Sequence, residues 1–166
     1  MSLLPATDRR ALLATALAGT GALVPLASKA APGRVRFDRT GYDRYIALMN
    51  AGDTRFVEYY ANDIRFVMNI RGRARVLEFY ARQRAFVREW LAVRFFCSDE
   101  TGAAAEVESE IRCIQDCDDT SVFGRALKAG EVQRVRGCLL YVLDGWGRIG
   151  EIKAPPPEVL EPWRRV

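Results

Sequence analysis

The stretch DRYIALMNAGD, residues 43–53, decides the predicted fold. With the residue before it, it places Tyr42, Tyr45, Ile46 and Met49 at the spacing of one helix face. Gly52 then suits the left-handed conformation that often follows a helix end. A second helix is predicted to begin directly afterwards at residue 54, where threonine is a favourable N-cap.

Along the rest of the chain, the side-chain pattern predicts mainly helices at first and strands afterwards. Helices are predicted over residues 38–50, 54–61 and 74–87, with a short β-branched and aromatic strand over 64–68. Further strands are predicted over residues 90–97, 103–114, 131–143 and 148–154. Within residues 103–114, charged side chains at 106, 108, 110 and 112 alternate with the uncharged side chains at 107, 109, 111 and 113, which is typical of a strand with one buried face. Three N-terminal helices followed by an antiparallel sheet indicate an α+β fold.

Three short matches carry a family resemblance. Arg44-Tyr45, the following Asn50 to Asp53, and Gly72-x-x-x-Val76-x-x-Phe79-Tyr80 resemble the ketosteroid isomerase / SnoaL-like group of the nuclear transport factor 2-like superfamily. The resemblance covers residues 37–154 and implies a curved sheet wrapped around the helices as a cone with an apolar pocket. Residues 155–166, which begin with three prolines, are predicted to be a C-terminal tail.

The resemblance also implies a pocket and a catalytic residue. Tyr45 matches the tyrosine that donates to a developing oxyanion, and Tyr60 and Tyr80 match tyrosines that support it through hydrogen bonds. A buried phenol needs a partner, so three linked phenols would satisfy one another. Strand parity and the resemblance give the rest of the predicted lining: Met49, Phe66, Met68, Phe79, Ser109, Ile111, Leu139 and Tyr141.

The acids of the isomerase mechanism are not matched. Its Asp base position falls on Met68, or on Asn69 if the strand slips by one residue, and neither accepts a proton at neutral pH. The second acid falls on Leu139. Three functions therefore stay open: a protein that binds a small apolar molecule; an isomerase, dehydratase or cyclase that uses Tyr45 as electrophile; and a structural domain with a filled cone.

The other face of the sheet is predicted to be solvated. Glu106, Glu108 and Glu110 alternate with apolar residues, and arginines from the neighbouring strand are expected beside them. Opposite charges across strands form a ladder worth about 0.2–1 kcal/mol per pair. Such a mixed-charge face suits a homodimer contact in this superfamily.

Residues 1–30 are predicted to be a twin-arginine signal peptide. Arg9-Arg10 precede a weakly apolar run, and Ser28-Lys29-Ala30 resembles a cleavage site, followed by a linker over 31–36. The mature protein is then periplasmic or secreted and not bound to a membrane. Half of the net charge of +4 lies in the first 30 residues, and the near-neutral remainder argues against a nucleic-acid partner.

The chain has no histidine, which excludes most metal sites and every histidine-based triad. No motif predicts a cofactor. The four cysteines lack paired or zinc-like spacing, and at least three of them are expected to be small buried apolar residues rather than parts of a disulfide framework. They are Cys97, Cys113, Cys117 and Cys138.

Overall fold

A computed structural model describes residues 37–121 and 123–166. The predicted signal peptide and linker lie outside these residues. The helices are α1 (Arg39–Ala51), a 3₁₀ helix (Thr54–Tyr59) and α2 (Arg73–Phe86). The strands are β1 (Tyr60–Arg65), β2 (Val87–Ser98), β3 (Gly102–Cys113), β4 (Glu131–Leu143), β5 (Ile149–Lys153) and β6 (Glu158–Arg165).

The strands form one curved sheet in the order β1-β5-β4-β3-β2, with β6 beside β4. β4 is shared along its length, because residues 140–143 pair with β5 and residues 131–136 pair with β6. β1 pairs with β5 in parallel, so the sheet is mixed and the prediction of an antiparallel sheet was wrong for this edge. The α+β order is confirmed, and the apolar face of α1 packs against the concave side of the sheet.

The quoted stretch folds as α1, with all four predicted side chains buried. Gly52 has φ 71°, and the Asp53 N–H bonds the Leu48 carbonyl at 2.9 Å, which closes the helix in a Schellman turn. The second predicted helix is a 3₁₀ helix, and its cap is Asp53, whose side chain accepts from the Arg55 N–H. It ends at Tyr59 because β1 begins immediately afterwards.

The predicted strand over 64–68 begins earlier and ends earlier than expected. β1 stops at Arg65, and a tight turn follows in which Met68 and Asn69 have φ 58° and 60°. The Phe66 N–H closes this turn on the Ile70 carbonyl at 2.8 Å. Met68 is consequently 56% exposed at the rim of the cone instead of lying on a strand.

A β-bulge in β2 reverses the predicted side-chain alternation. The pairing with β3 shifts register between Val93 and Phe95, so the extra residue is Arg94. Phe96 therefore packs in the core, whereas Phe95 and Cys97, which an unbroken alternation from Val93 would turn inward, are exposed. A single inserted residue turns every following side chain to the other face.

Residues 155–166 are not a tail, because residues 158–165 form β6. Trp163 of β6 packs edge-to-face on Phe123 with ring centroids 5.7 Å apart, over a second apolar cluster. That cluster contains the buried thiols of Cys113 and Cys117. Cys97 and Cys138 are exposed, so two cysteines are buried where at least three were expected.

The predicted charge ladder lies on the outer sheet face and centres on Glu108. Its carboxylate accepts from Arg94 at 2.7 Å and Arg136 at 2.9 Å, and these guanidinium groups lower its pKa to about 2. Arg134 joins Glu108 to Glu161 of β6. The contribution of these ion pairs to the stability of the fold is present above 4.5, the ordinary pKa of a glutamate. It is lost as the pH falls toward 2 and Glu108 becomes protonated.

Within the described ranges, no helix is long and apolar enough to span a membrane.

Candidate functional site

The concave side of the sheet encloses an open cavity of about 350 Å³, here called the cone cavity. Helices α1 and α2 form one wall, and β2, β3 and β4 form the other. Most of its surface is apolar, and its polar groups are three phenols, one hydroxyl and one carboxylate. These belong to Tyr45, Tyr80, Tyr141, Ser109 and Glu89.

Tyr45 presents its phenol to the cone cavity with a second phenol behind it. The hydroxyls of Tyr45 and Tyr60 are 2.7 Å apart. Tyr60 is fully buried and does not line the cavity, and its hydroxyl has no other hydrogen-bond partner in the part of the chain that the structure describes. Because a buried hydroxyl proton needs an acceptor, we assign Tyr60 as the donor to Tyr45. The Tyr45 proton is then directed to the cavity.

A second tyrosine pair repeats this arrangement. The Tyr42 and Tyr141 hydroxyls are 3.1 Å apart, with Tyr42 fully buried and Tyr141 lining the cavity. Burial raises the pKa of Tyr42 to about 12 and that of Tyr141 well above its ordinary range. Both phenols are therefore neutral donors at physiological pH. Sequence reasoning placed Tyr141 in the pocket but missed its partnership with Tyr42, which spans 99 residues of chain.

Tyr80 takes a different place from the one predicted. Its ring packs edge-to-face on Phe56 with centroids 5.1 Å apart, and the Arg84 guanidinium lies 5.2 Å from its ring centre. Among the residues described, no hydrogen bond joins its hydroxyl to Tyr45 or Tyr60. The predicted chain of three tyrosines is thus a pair, with Tyr80 as a separate wall of the cavity.

Glu89 is the carboxylate that sequence reasoning did not find. It lies on β2, faces the same cavity as Tyr45, and sits diagonally across from Ser109 on β3. Burial raises its pKa, while the facing Ser109 hydroxyl, the Arg84 charge and the Gln83 amide lower it. The strand was predicted to begin at residue 90; extending its alternation back through Leu91 to Glu89 and Val87 would have exposed the inward carboxylate.

The other predicted pocket residues surround the same cavity, apart from Tyr60, which lies behind Tyr45. Met68 is at the rim and Leu139 lies on β4, so the two positions that lack the isomerase acids do face the cavity. Predicted lining residues found around it are Met49, Phe66, Met68, Phe79, Ser109, Ile111, Leu139 and Tyr141.

Chemically, the arrangement combines neutral phenol donors with one carboxylate of raised pKa. A phenol can hydrogen-bond a carbonyl oxygen, and a poorly solvated carboxylate can accept a proton from an adjacent carbon. Within the described residues no cluster of histidine, cysteine and acidic side chains could hold a metal ion.

Solved structures show the same fold. The chain matches a candidate polyketide cyclase from Pseudomonas putida with 20% identity and a TM-score of 0.58, covering 69% of this chain and 87% of that one. It matches a SnoaL-like polyketide cyclase from Agrobacterium tumefaciens with 14% identity and a TM-score of 0.54, covering 69% and 86%. A Δ5-3-ketosteroid isomerase from Mycobacterium sp. shares 18% identity at a TM-score of 0.53, covering 69% and 88%.

Neither a scan against protein-family models nor a search of curated proteins finds a match. The structural matches show that the chain shares the α+β cone fold of these proteins.

Proposed function

We propose that this chain binds a small apolar molecule in the cone cavity through a carbonyl or hydroxyl oxygen held by Tyr45. The observation that carries the proposal is the tyrosine pair. Tyr60 occupies the acceptor side of the Tyr45 hydroxyl from the buried side, which leaves one donor directed at the cavity. A donor in a mostly apolar cavity selects a ligand oxygen because few other polar partners compete for it.

The size of the cavity and the related folds support this proposal. A volume of about 350 Å³ lies at the small end of the usual range for ligand pockets. An open cavity of this size also argues against the filled-cone alternative. The names of the related structures refer to polyketides and ketosteroids, which are molecules with apolar bodies and carbonyl oxygens.

Calorimetric titration with β-tetralone, a bicyclic apolar ketone, tests the proposal. Wild-type protein is expected to bind it, and Tyr45→Phe is expected to weaken binding up to about tenfold, the value of one neutral hydrogen bond. Tyr59→Phe is the matched control, because the Tyr59 ring packs on Tyr45 without lining the cavity. Equal affinities for wild type and Tyr45→Phe would contradict the assigned role of Tyr45.

Glu89 favours a second candidate function, that of an isomerase, dehydratase or cyclase. For such an enzyme, the sequence predicted Tyr45 as electrophile but no side chain that could act as base. Glu89 faces the same cavity with a pKa raised by burial, which moves a carboxylate toward the range useful for proton transfer at neutral pH. In this function, Tyr45 stabilises the enolate oxygen while Glu89 removes the proton from the neighbouring carbon.

We also propose that the protein is exported through its twin-arginine signal. Replacing Arg9 and Arg10 together by lysine is expected to keep the protein in the cytoplasm with its first 30 residues uncut. Cell fractionation and intact-mass measurement check this expectation. Periplasmic protein of mature mass from the double variant would contradict the twin-arginine route.

A homodimer through the outer sheet face completes the proposal. Besides the Glu108 ladder, this face exposes the large apolar side chains Trp90, Phe95 and Leu140, a composition that suits a subunit contact. Phe95→Asp is expected to shift a dimer to monomer in sedimentation velocity, because it places a charge among these side chains. A Phe95→Asp variant as dimeric as wild type, or a wild type that is monomeric at all concentrations, would contradict the dimer.

A further inference from the structure

A second cavity of about 440 Å³ lies behind the cone cavity, between the C-terminal ends of α1 and α2 and the start of β2. The two cavities share a wall made by Met49, Tyr80, Glu89 and Leu91. The Asn50 side chain fixes this region, because it donates to the Leu91 carbonyl at 2.9 Å and accepts from the Leu91 N–H at 2.8 Å. These two hydrogen bonds tie the end of α1 to β2 at the wall of the second cavity.

Two arginines give this cavity a positive lining. Arg84 donates to the Met49 and Gly52 carbonyls at 3.1 Å each and lies over the Tyr80 ring, so its guanidinium is fixed in position. Arg88 donates to the Arg84 carbonyl at 2.6 Å. Neither forms an ion pair with a carboxylate in the described chain, whereas outer-face arginines such as Arg134 and Arg136 are paired with acids.

An unpartnered acceptor lies beside the two arginines. The Oε1 atom of Gln83 is buried and has no hydrogen-bond partner among the described residues, and its side chain lines the same cavity. A buried acceptor without a donor is unfavourable, and a ligand hydroxyl that reached this atom would satisfy it. Guanidinium groups bind carboxylate and phosphate oxygens through charge-assisted hydrogen bonds.

We propose that the second cavity is a subsite for an oxyanion group, carboxylate or phosphate, bound by Arg84 and Arg88 with an adjacent hydroxyl on Gln83. The oxyanion is either a free anion or the head group of a ligand whose apolar body lies in the cone cavity. The second source rests on the proposed function, and the first does not. Glu89 lies in the wall that the two cavities share, next to this subsite.

Calorimetry with inorganic phosphate, octyl phosphate and octanol separates these sources. Arg88→Gln is expected to weaken the binding of the phosphate-bearing probe about tenfold, since one charge-assisted contact is lost. The affinity for octanol should stay unchanged. Arg82→Gln is the control, because Arg82 lies on α2 but is exposed and does not line the cavity. Arg88→Gln carries the test because Arg84→Gln would also remove the contacts that hold the end of α1.

Tighter binding of octyl phosphate than of inorganic phosphate and octanol identifies a head-group subsite, and equal binding of both phosphates identifies a free anion. The inference is overturned if neither phosphate binds more tightly than octanol, or if Arg82→Gln weakens it as much as Arg88→Gln. Phosphate binding without octanol binding would support the subsite and contradict the cone ligand, so the two proposals fail separately.

Discussion

Glu89→Gln is expected to slow proton exchange at the carbon beside the carbonyl of bound β-tetralone by about a hundredfold to ten-thousandfold. This is the usual contribution of a positioned general base. Glutamine keeps the shape of the side chain and one acceptor oxygen, but it replaces the other oxygen by an NH2 donor and cannot accept a proton at neutral pH. Deuterium uptake from heavy water, followed by mass spectrometry of the ketone, measures the rate.

Glu110→Gln is the matched control for this measurement, because Glu110 is an exposed glutamate on the outer face of the same sheet. The Glu110→Gln variant should exchange this proton of the ketone at the wild-type rate. If Glu89→Gln also retains that rate, the chain is not a proton-transfer enzyme of the proposed kind. The binding function would then stand alone.

The same variant should change the pH dependence of stability. Burial raises the pKa of Glu89 in the folded protein, so the ionised form opposes folding. Stability is full below the ordinary pKa of 4.5 and declines as the pH rises through the folded-state pKa. Glu89→Gln should therefore raise the free energy of unfolding at alkaline pH by about 0.5–2 kcal/mol, as substitutions that give up function often do, and should do nothing at pH about 4.

Tyr45→Phe should destabilise the fold by about 1–3 kcal/mol, because it leaves the fully buried Tyr60 hydroxyl without an acceptor. Tyr60→Phe should cost less, because the Tyr45 hydroxyl retains access to the cavity. Removing both hydroxyls should cost less than the sum of the single changes, since the second removal takes away the orphaned partner. Urea denaturation of the four proteins at equal m-values gives the coupling free energy.

Strict additivity of the two changes would contradict the hydrogen bond between these phenols. Tyr59→Phe again serves as the control, since the Tyr59 ring contacts Tyr45 but its hydroxyl makes no hydrogen bond within the described residues. It should stay within about 0.5 kcal/mol of wild type, as ordinary surface substitutions do.

Local signals in the sequence were sufficient for several elements. The apolar spacing of residues 42–49 and the glycine at 52 predicted α1 and its end, and the charge alternation of residues 103–114 predicted β3. In each case the determining interaction lies within one helix turn or along one strand face. Such short-range patterns survive in a single sequence.

The errors arose where distant parts of the chain decide the structure. The bulge at Arg94 is satisfied by the partner strand through Glu108, and nothing in the local sequence marks it. β6 exists because it pairs with the first half of β4, although the three prolines before it suggested a tail. Glu89 was missed because the start of β2 follows α2 without a turn, so a helical period and a strand period meet at Val87.

In the proposed function, Tyr45 donates a hydrogen bond to the oxygen of a ligand in the cone cavity. Infrared difference spectroscopy of bound β-tetralone tests it most directly, because hydrogen bonding lowers the stretching frequency of a carbonyl group. In wild-type protein the band should lie below its position in hexane, and in Tyr45→Phe it should return toward that position. A bound ketone whose carbonyl band is the same in wild type, in Tyr45→Phe and in hexane would contradict the account.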